Sequence, residues 1–240
     1  MIGPFLNALG ILLGALCGLA LRKPLALRTQ EFFKSALGAC TVFYGLGLIY
    51  RSVEWTFALA TKQIALGLFA VVAGYWLGRL LHLQTLSNRI GHHAALLLAA
   101  AQKQPPGPPA AGLVAATLLF CAAPLGILGA VVDGLDHYYY LLLVKAVMDG
   151  LAMMSFVKIF HWPAALSAAP VYFFFNGLAL AVQVGALPWL AGHKLIGPIG
   201  LAAGLVTCVV ALVVLQVRRV ELANYLPALV VAPALAFWLE

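Results

Sequence analysis

Apolar residues run along this chain in eight long stretches, at 4–21, 36–50, 65–81, 113–132, 138–160, 164–187, 196–217 and 222–238. None alternates with the period of two that a half-buried or barrel strand requires, and each is near the length at which a helix crosses ~30 Å of hydrocarbon. The second run reaches that length only if Phe32 and Phe33 extend it. Backbone in lipid must satisfy its own hydrogen bonds, so the pattern predicts an all-α, polytopic transmembrane bundle of about eight spans.

Polar residues gather in one long interruption, 82–112. Its first part, through Gln104, reads as a helix lying at the membrane interface, with Ile90 and the alanines of 94–101 toward lipid. Its second part, Pro105-Pro106-Gly107-Pro108-Pro109, reads as a stiff connector. The expected organisation is a three-span part (1–81), this amphipathic and proline-rich connector (82–112), and a five-span part (113–240). Leu9-Gly10-Ile11-Leu12-Leu13-Gly14-Ala15 and Leu125-Gly126-Ile127-Leu128-Gly129-Ala130 echo each other three spans apart. The following span of each part carries a lysine, Lys34 or Lys145. Copies so spaced would be inverted, as in many secondary transporters, where the substrate site lies at the repeat interface. A second echo, Ile2-Gly3-Pro4 against Ile196-Gly197-Pro198, does not fit that scheme.

Composition agrees with a membrane solvent: hydrophobic residues make up 64% and charged residues 9%, against roughly 45–50% apolar in soluble domains. Net charge is +7, and its distribution speaks of topology. With the N-terminus outside, Arg22, Lys23, Arg28, Lys34, Arg79, Arg89, Lys103, Lys158, Arg218 and Arg219 fall on the inner side, and only Arg51, Lys62 and Lys194 on the outer. Nucleic acid is not an expected partner, because the basic residues form no stripe. The first run lacks a basic lead-in and a small-residue cleavage site before Arg22, so a retained span is expected rather than a cleaved signal. Cys17, Cys40, Cys121 and Cys208 sit singly in apolar runs and read as packing residues.

Lys145 and Asp149 stand out, since they are four residues apart, on one helix face, in the middle of the fifth run. Either charge alone costs roughly 2.5–3.5 kcal/mol at a helix centre on insertion scales, so both must face protein or water. They form either an ion- or solute-binding pair or a structural ion pair that fixes helix packing. Pro124, Gly126, Gly129 and Gly134 punctuate the fourth run, a candidate broken helix that ends at Asp133, Asp136 and His137. The bland reading is a kinked packing helix, with the acids in an ordinary loop. Asn7 and Asn176 are polar groups deep in spans, and each bonds a neighbouring helix or faces a substrate path; Asn224, beside Glu221 and Tyr225 at the start of the last span, reads as a polar contact near the inner mouth. Gly10, Gly14 and Gly18 form a ladder for close helix approach, within the chain or in a homo-oligomer. The tryptophans lie mostly near run ends, as interfacial anchors do. Adjacent His92 and His93 point different ways on a helix and read as solvated rather than metal-binding. No catalytic, metal-binding or phosphate-binding motif is present, and no enzyme activity or cofactor is expected.

The stretch Leu119-Phe120-Cys121-Ala122-Ala123-Pro124-Leu125-Gly126-Ile127-Leu128-Gly129 resembles a family of bacterial membrane proteins. So do Asp133-Gly134-Leu135, Lys145-Ala146-Val147-Met148-Asp149-Gly150 and the closing Val220-Glu221-Leu222-Ala223-Asn224-Tyr225-Leu226-Pro227-Ala228. The family is the YdfK/YqgA-like group, domain of unknown function 554. The resemblance implies a multi-pass protein of the bacterial inner membrane, of transporter type but with no stated substrate. It also implies that Pro124, Asp133, Lys145, Asp149 and Asn224 belong to one site. Two departures are the longer alanine- and proline-rich connector and Phe174-Phe175-Asn176-Gly177, where the family tends to carry glutamine before the glycine. The functional expectation is a secondary transporter of a small solute or ion, with a channel or a non-transporting assembly or lipid-binding component as alternatives.

Overall fold

The computed structural model describes residues 2–21, 26–54, 56–103 and 109–239, and all regular structure among them is helical. Eleven α-helices follow in order: α1 (Gly3–Ala20), α2 (Leu27–Ser52), α3 (Phe57–Leu80), α4 (Leu83–Lys103), α5 (Pro109–Cys121), α6 (Pro124–Asp136), α7 (Tyr140–Phe160), α8 (Ala168–Ala181), α9 (Leu187–Gly192), α10 (Ile196–Val214) and α11 (Ala228–Leu239). Short 3-10 turns precede α8 and α11, and a π turn joins α8 to α9. Arg22, Lys23, Trp55 and the connector at 104–108 lie outside the described residues.

Among the described residues seven helical segments are long and apolar enough to span a membrane, and α5 with α6, bent by 62° at their junction, brings the number to eight. Phe32 and Phe33 do extend the second span, since α2 starts at Leu27. The 83–103 segment is a helix too polar to count among the candidate spans: Ala94 and Ala101 are buried while Arg89, His92 and His93 are exposed. Several helices stop without glycine; His137, at the end of α6, takes the left-handed stop (φ 52°, ψ 27°) more often supplied by glycine, and His161, at the end of α7, also has positive φ, 58°.

The chain divides into two compact units. The first comprises Met1–Glu31, Leu86–Asp133 and His137–Ala179. Its centre is α7, the most buried of the candidate spans. α1 runs parallel to it, with Gly10 against Ala146, Gly14 against Gly150 and Gly18 against Met154. In lipid there is no hydrophobic drive between helices, so close van der Waals contact of backbones carries such a pair, and glycine is the residue that permits it. The ladder of Gly10, Gly14 and Gly18 therefore serves packing within the chain, the first of its two expected uses. On another side, Gly112 meets Phe160, Gly126 meets Lys145 and Gly129 meets Leu142. As residue numbers rise along α5 and α6 they fall along α7, so the bent pair runs antiparallel to most of α7 as one broken span.

The second unit comprises Phe32–Thr85, Gly134–Asp136 and Leu180–Glu240. In it α10 lies antiparallel to α2 (Gly45 against Gly204, Gly38 against Leu215) and α11 antiparallel to α3 (Gly74 against Ala228). Arg51 and Asp136 pair at 3.3 Å with both side chains about half exposed, a contact of the surface kind worth roughly 0–1 kcal/mol.

Candidate functional site

Every third or fourth residue of α7 from Leu142 through Lys145, Asp149 and Met153 is buried, which makes one inward stripe. Two of the four are charged. Lys145 is 1% and Asp149 7% exposed, and the Lys145 Nζ donates to Asp149 Oδ2 in a direct ion pair one turn apart. The same Nζ lies 5.8 Å from the centre of the Phe120 ring and 5.4 Å from that of Phe175, within the range of cation–π attraction. Two rings and one carboxylate thus replace the water the ammonium gave up.

The break in the fourth span stands at the same level. Ala123 is extended (φ −68°, ψ 120°) and Pro124 is the first residue of α6. Proline has no N–H, so the Phe120 carbonyl loses its helical donor, and α6 begins afresh with the Gly126 amide donating to Ala123 O at 2.9 Å. A Cβ on Gly126 would overlap Lys145 Cε and the Phe175 ring. Glycine at 126 is what lets the lysine stem lie against the first turn of α6. A cation at that helix end is opposed by the helix dipole, which makes the Asp149 carboxylate the more necessary.

Asn7, on the α1 face that carries Gly10 and Gly14, is fully buried. Its side chain lies near Asp149, yet neither Oδ1 nor Nδ2 has a partner of good hydrogen-bond geometry. A buried amide left so costs about 1–3 kcal/mol. Such groups mark strain or a place for a ligand. Asp133, two turns beyond Gly126 and 1% exposed, accepts the Gly3 amide at 3.3 Å and so sits at the start of α1, where a carboxylate complements the helix dipole. Asn176 is half-buried on α8 beside Phe175.

Lys145, Asp149, Pro124, Gly126, Asn7, Asp133 and Asn176 all belong to the first unit, whereas Asn224 belongs to the second. There Asn224 Oδ1 accepts the Gln84 amide at 3.0 Å, Gln84 Oε1 accepts the Ala223 amide at 3.1 Å, and Asn224 Nδ2 donates to Glu221 at 2.8 Å. This is a reciprocal clasp between the start of α4 and the turn before α11. Asn224→Ala is expected to destabilise the protein by about 1–3 kcal/mol, because it removes both the acceptor of the Gln84 amide and the donor to Glu221, read as a lower unfolding midpoint in detergent. Nothing in the sequence marks Phe120 and Phe175 as the rings that flank the ammonium. Phenylalanine is common in every span, and only the fold shows which two rings face the lysine.

The arrangement is a buried ion pair at a helix break, next to an unsatisfied amide. A solute anion could compete with Asp149 for Lys145, or a cation with Lys145 for Asp149.

The chain is similar to the "Uncharacterized membrane protein YdfK" of Bacillus subtilis (strain 168), 24% identical over 237 residues, which cover 99% of this chain and 96% of that protein. It is also similar to the "Uncharacterized protein YqgA" of Escherichia coli (strain K12), 25% identical over 240 residues, 99% of this chain and 97% of the relative. No solved structure matches it. The family described as "Protein of unknown function (DUF554)" matches residues 2–237, and the chain belongs to that family.

Proposed function

We propose that this protein is a secondary transporter of a small charged solute or an ion in the bacterial inner membrane, with its N-terminus outside and the Lys145–Asp149 pair at the site. The observation that carries the reading is the coincidence of three features at one depth: a sealed ion pair, the α5–α6 break, and the unpartnered Asn7 amide. A break is tolerated at membrane depth where backbone is buried or lines a solute path. The lysine held by its own carboxylate is the closed form of such a site. Loading would exchange one internal partner for the solute, and protonation of Asp149 would free Lys145 for an anion. The excess of basic residues on one set of loops supports the orientation. A channel would need a continuous polar pore, and the spans hold few polar residues from which to build one.

One observation favours a non-transporting assembly role: the pair is closed off from solvent, as a purely structural ion pair would be. The two readings part in a thermal-shift screen of the purified protein against ions, amino acids and organic acids, with Asp149→Asn alongside. At a hundredfold excess over Kd a ligand stabilises by about 2.7 kcal/mol. The transport reading expects a solute that raises the midpoint of the wild type and not of the variant. A variant that is simply less stable, with no solute active on either protein, would support the structural pair.

A further inference from the structure

Within the second unit, a cavity of about 360 Å³ opens where α2 ends and α10 begins. That is near the small end of the ~300–1,000 Å³ range of ligand sites. Its inner wall is apolar and is made mostly of small residues: Gly67 of α3, Leu201 of α10, and Ala232 and Ala236 of α11, all buried. Glu54 and Lys194, both exposed, also line it, as does half-buried Gln63. Among the described residues, neither Glu54 nor Lys194 has an ion-pair partner, in contrast to Arg51 with Asp136 and Lys145 with Asp149. Gln63 is fixed by its Oε1, which accepts the Glu54 amide at 2.9 Å and leaves the side-chain NH2 free to donate. Lys194, held in a left-handed turn at φ 55°, comes just before α10, whose first turn also lines the cavity and carries no side-chain cap.

We propose that this cavity binds a small zwitterion, an aliphatic α-amino acid. Its ammonium is met by Glu54, its carboxylate by Lys194 and the Gln63 amide, and its side chain by the Gly67, Leu201 and Ala232 wall. Two unpaired charges of opposite sign around one apolar hollow suit a ligand with both charges and a short hydrocarbon. A simple anion or cation would leave one of them unused. The first unit shows the matching preference at its own Ile-Gly-Pro helix start, where the Gly3 amide takes the Asp133 carboxylate. α10 opens with the same Ile196-Gly197-Pro198, and Gly197 and Pro198 line the cavity beside Ser52 at the end of α2. The inference is independent of any role for Lys145.

The test is binding of L-leucine to the purified full chain in detergent, by thermal shift and equilibrium dialysis, beside 3-methylbutylamine, 4-methylpentanoate and O-phosphoethanolamine. The first two analogues each lack one charge; the third carries the charges of a lipid headgroup. Leucine is expected to bind, both single-charge analogues to bind at least about tenfold more weakly, and Glu54→Gln and Lys194→Met each to weaken leucine by at least about tenfold. Lys194→Arg is expected to retain binding. Both side chains are exposed, so the unliganded variants should elute and melt as the wild type does, which separates lost binding from lost fold. No leucine binding at millimolar concentration, equal binding of either single-charge analogue, or indifference to both variants would overturn the proposal. Tighter binding of O-phosphoethanolamine than of leucine would overturn it too, by making the cavity a headgroup site.

Discussion

Asp149→Leu is expected to destabilise the protein by about 3–5 kcal/mol, because it strands the Lys145 ammonium, sealed from solvent between the Phe120 and Phe175 rings, without its carboxylate. Removing one member of a buried pair leaves an uncompensated charge. Removing both does not. The charge-free double variant Lys145→Met/Asp149→Leu is therefore expected to return to within about 1–2 kcal/mol of the wild type or to exceed it, since replacing a buried pair with apolar residues of similar volume is often neutral or stabilising. Unfolding midpoints of the two single variants and the double, taken in one detergent, form a cycle whose large coupling is the expected result. Additive effects would show that the two charges do not depend on each other. The cycle also yields a folded protein that lacks the pair, which makes a functional test clean.

Gly14→Leu is expected to prevent α1 from seating on α7, a loss of more than about 3 kcal/mol, because overpacking against backbone cannot be relieved by turning a side chain. A Cβ at 14 overlaps the Gly150 carbonyl and Cα, and one at Gly10 overlaps the Ala146 backbone. Even Gly14→Ala should lower the unfolding midpoint clearly. At Gly177 and Gly185 an added Cβ would meet nothing within 4 Å, so Gly177→Ala, also on an apolar helix, should be neutral or up to about 1 kcal/mol stabilising. A Gly14→Ala variant as stable as Gly177→Ala would mean that the close α1–α7 contact does not exist. The displaced α1 also carries Asn7 and the Gly3 amide away from Asp149 and Asp133, so the same substitution disturbs the candidate site without touching it.

The fold class was legible because lipid enforces it: long apolar runs have only the helix available, and each of the eight runs corresponds to helix, with the fourth broken where Pro124 removes a donor. Gly126 in that run is explained only by the fold, since its value lies in admitting Lys145 from a different span. The Lys145–Asp149 pair was legible from spacing alone, because a charge in lipid needs a partner and one turn of helix supplies it. Asn224 shows the converse. A buried asparagine at the head of a span looks the same in sequence whether it meets a solute or clasps Gln84, and it clasps Gln84. The cavity behind Glu54 and Lys194 left only the Ile196-Gly197-Pro198 echo in the sequence, because its wall is built mainly of glycine and alanine from separate helices and its charges read as ordinary loop residues.

The most direct test of the transport reading is a solute-jump current measurement on proteoliposomes adsorbed to a solid-supported membrane, comparing the wild type with Lys145→Met/Asp149→Leu. The solutes span inorganic cations, inorganic anions, amino acids and organic acids. The account predicts a transient current for at least one of these classes with the wild type and none with the folded, charge-free double variant. Currents that survive in the double variant, or no current from the wild type in any of these classes, would contradict it.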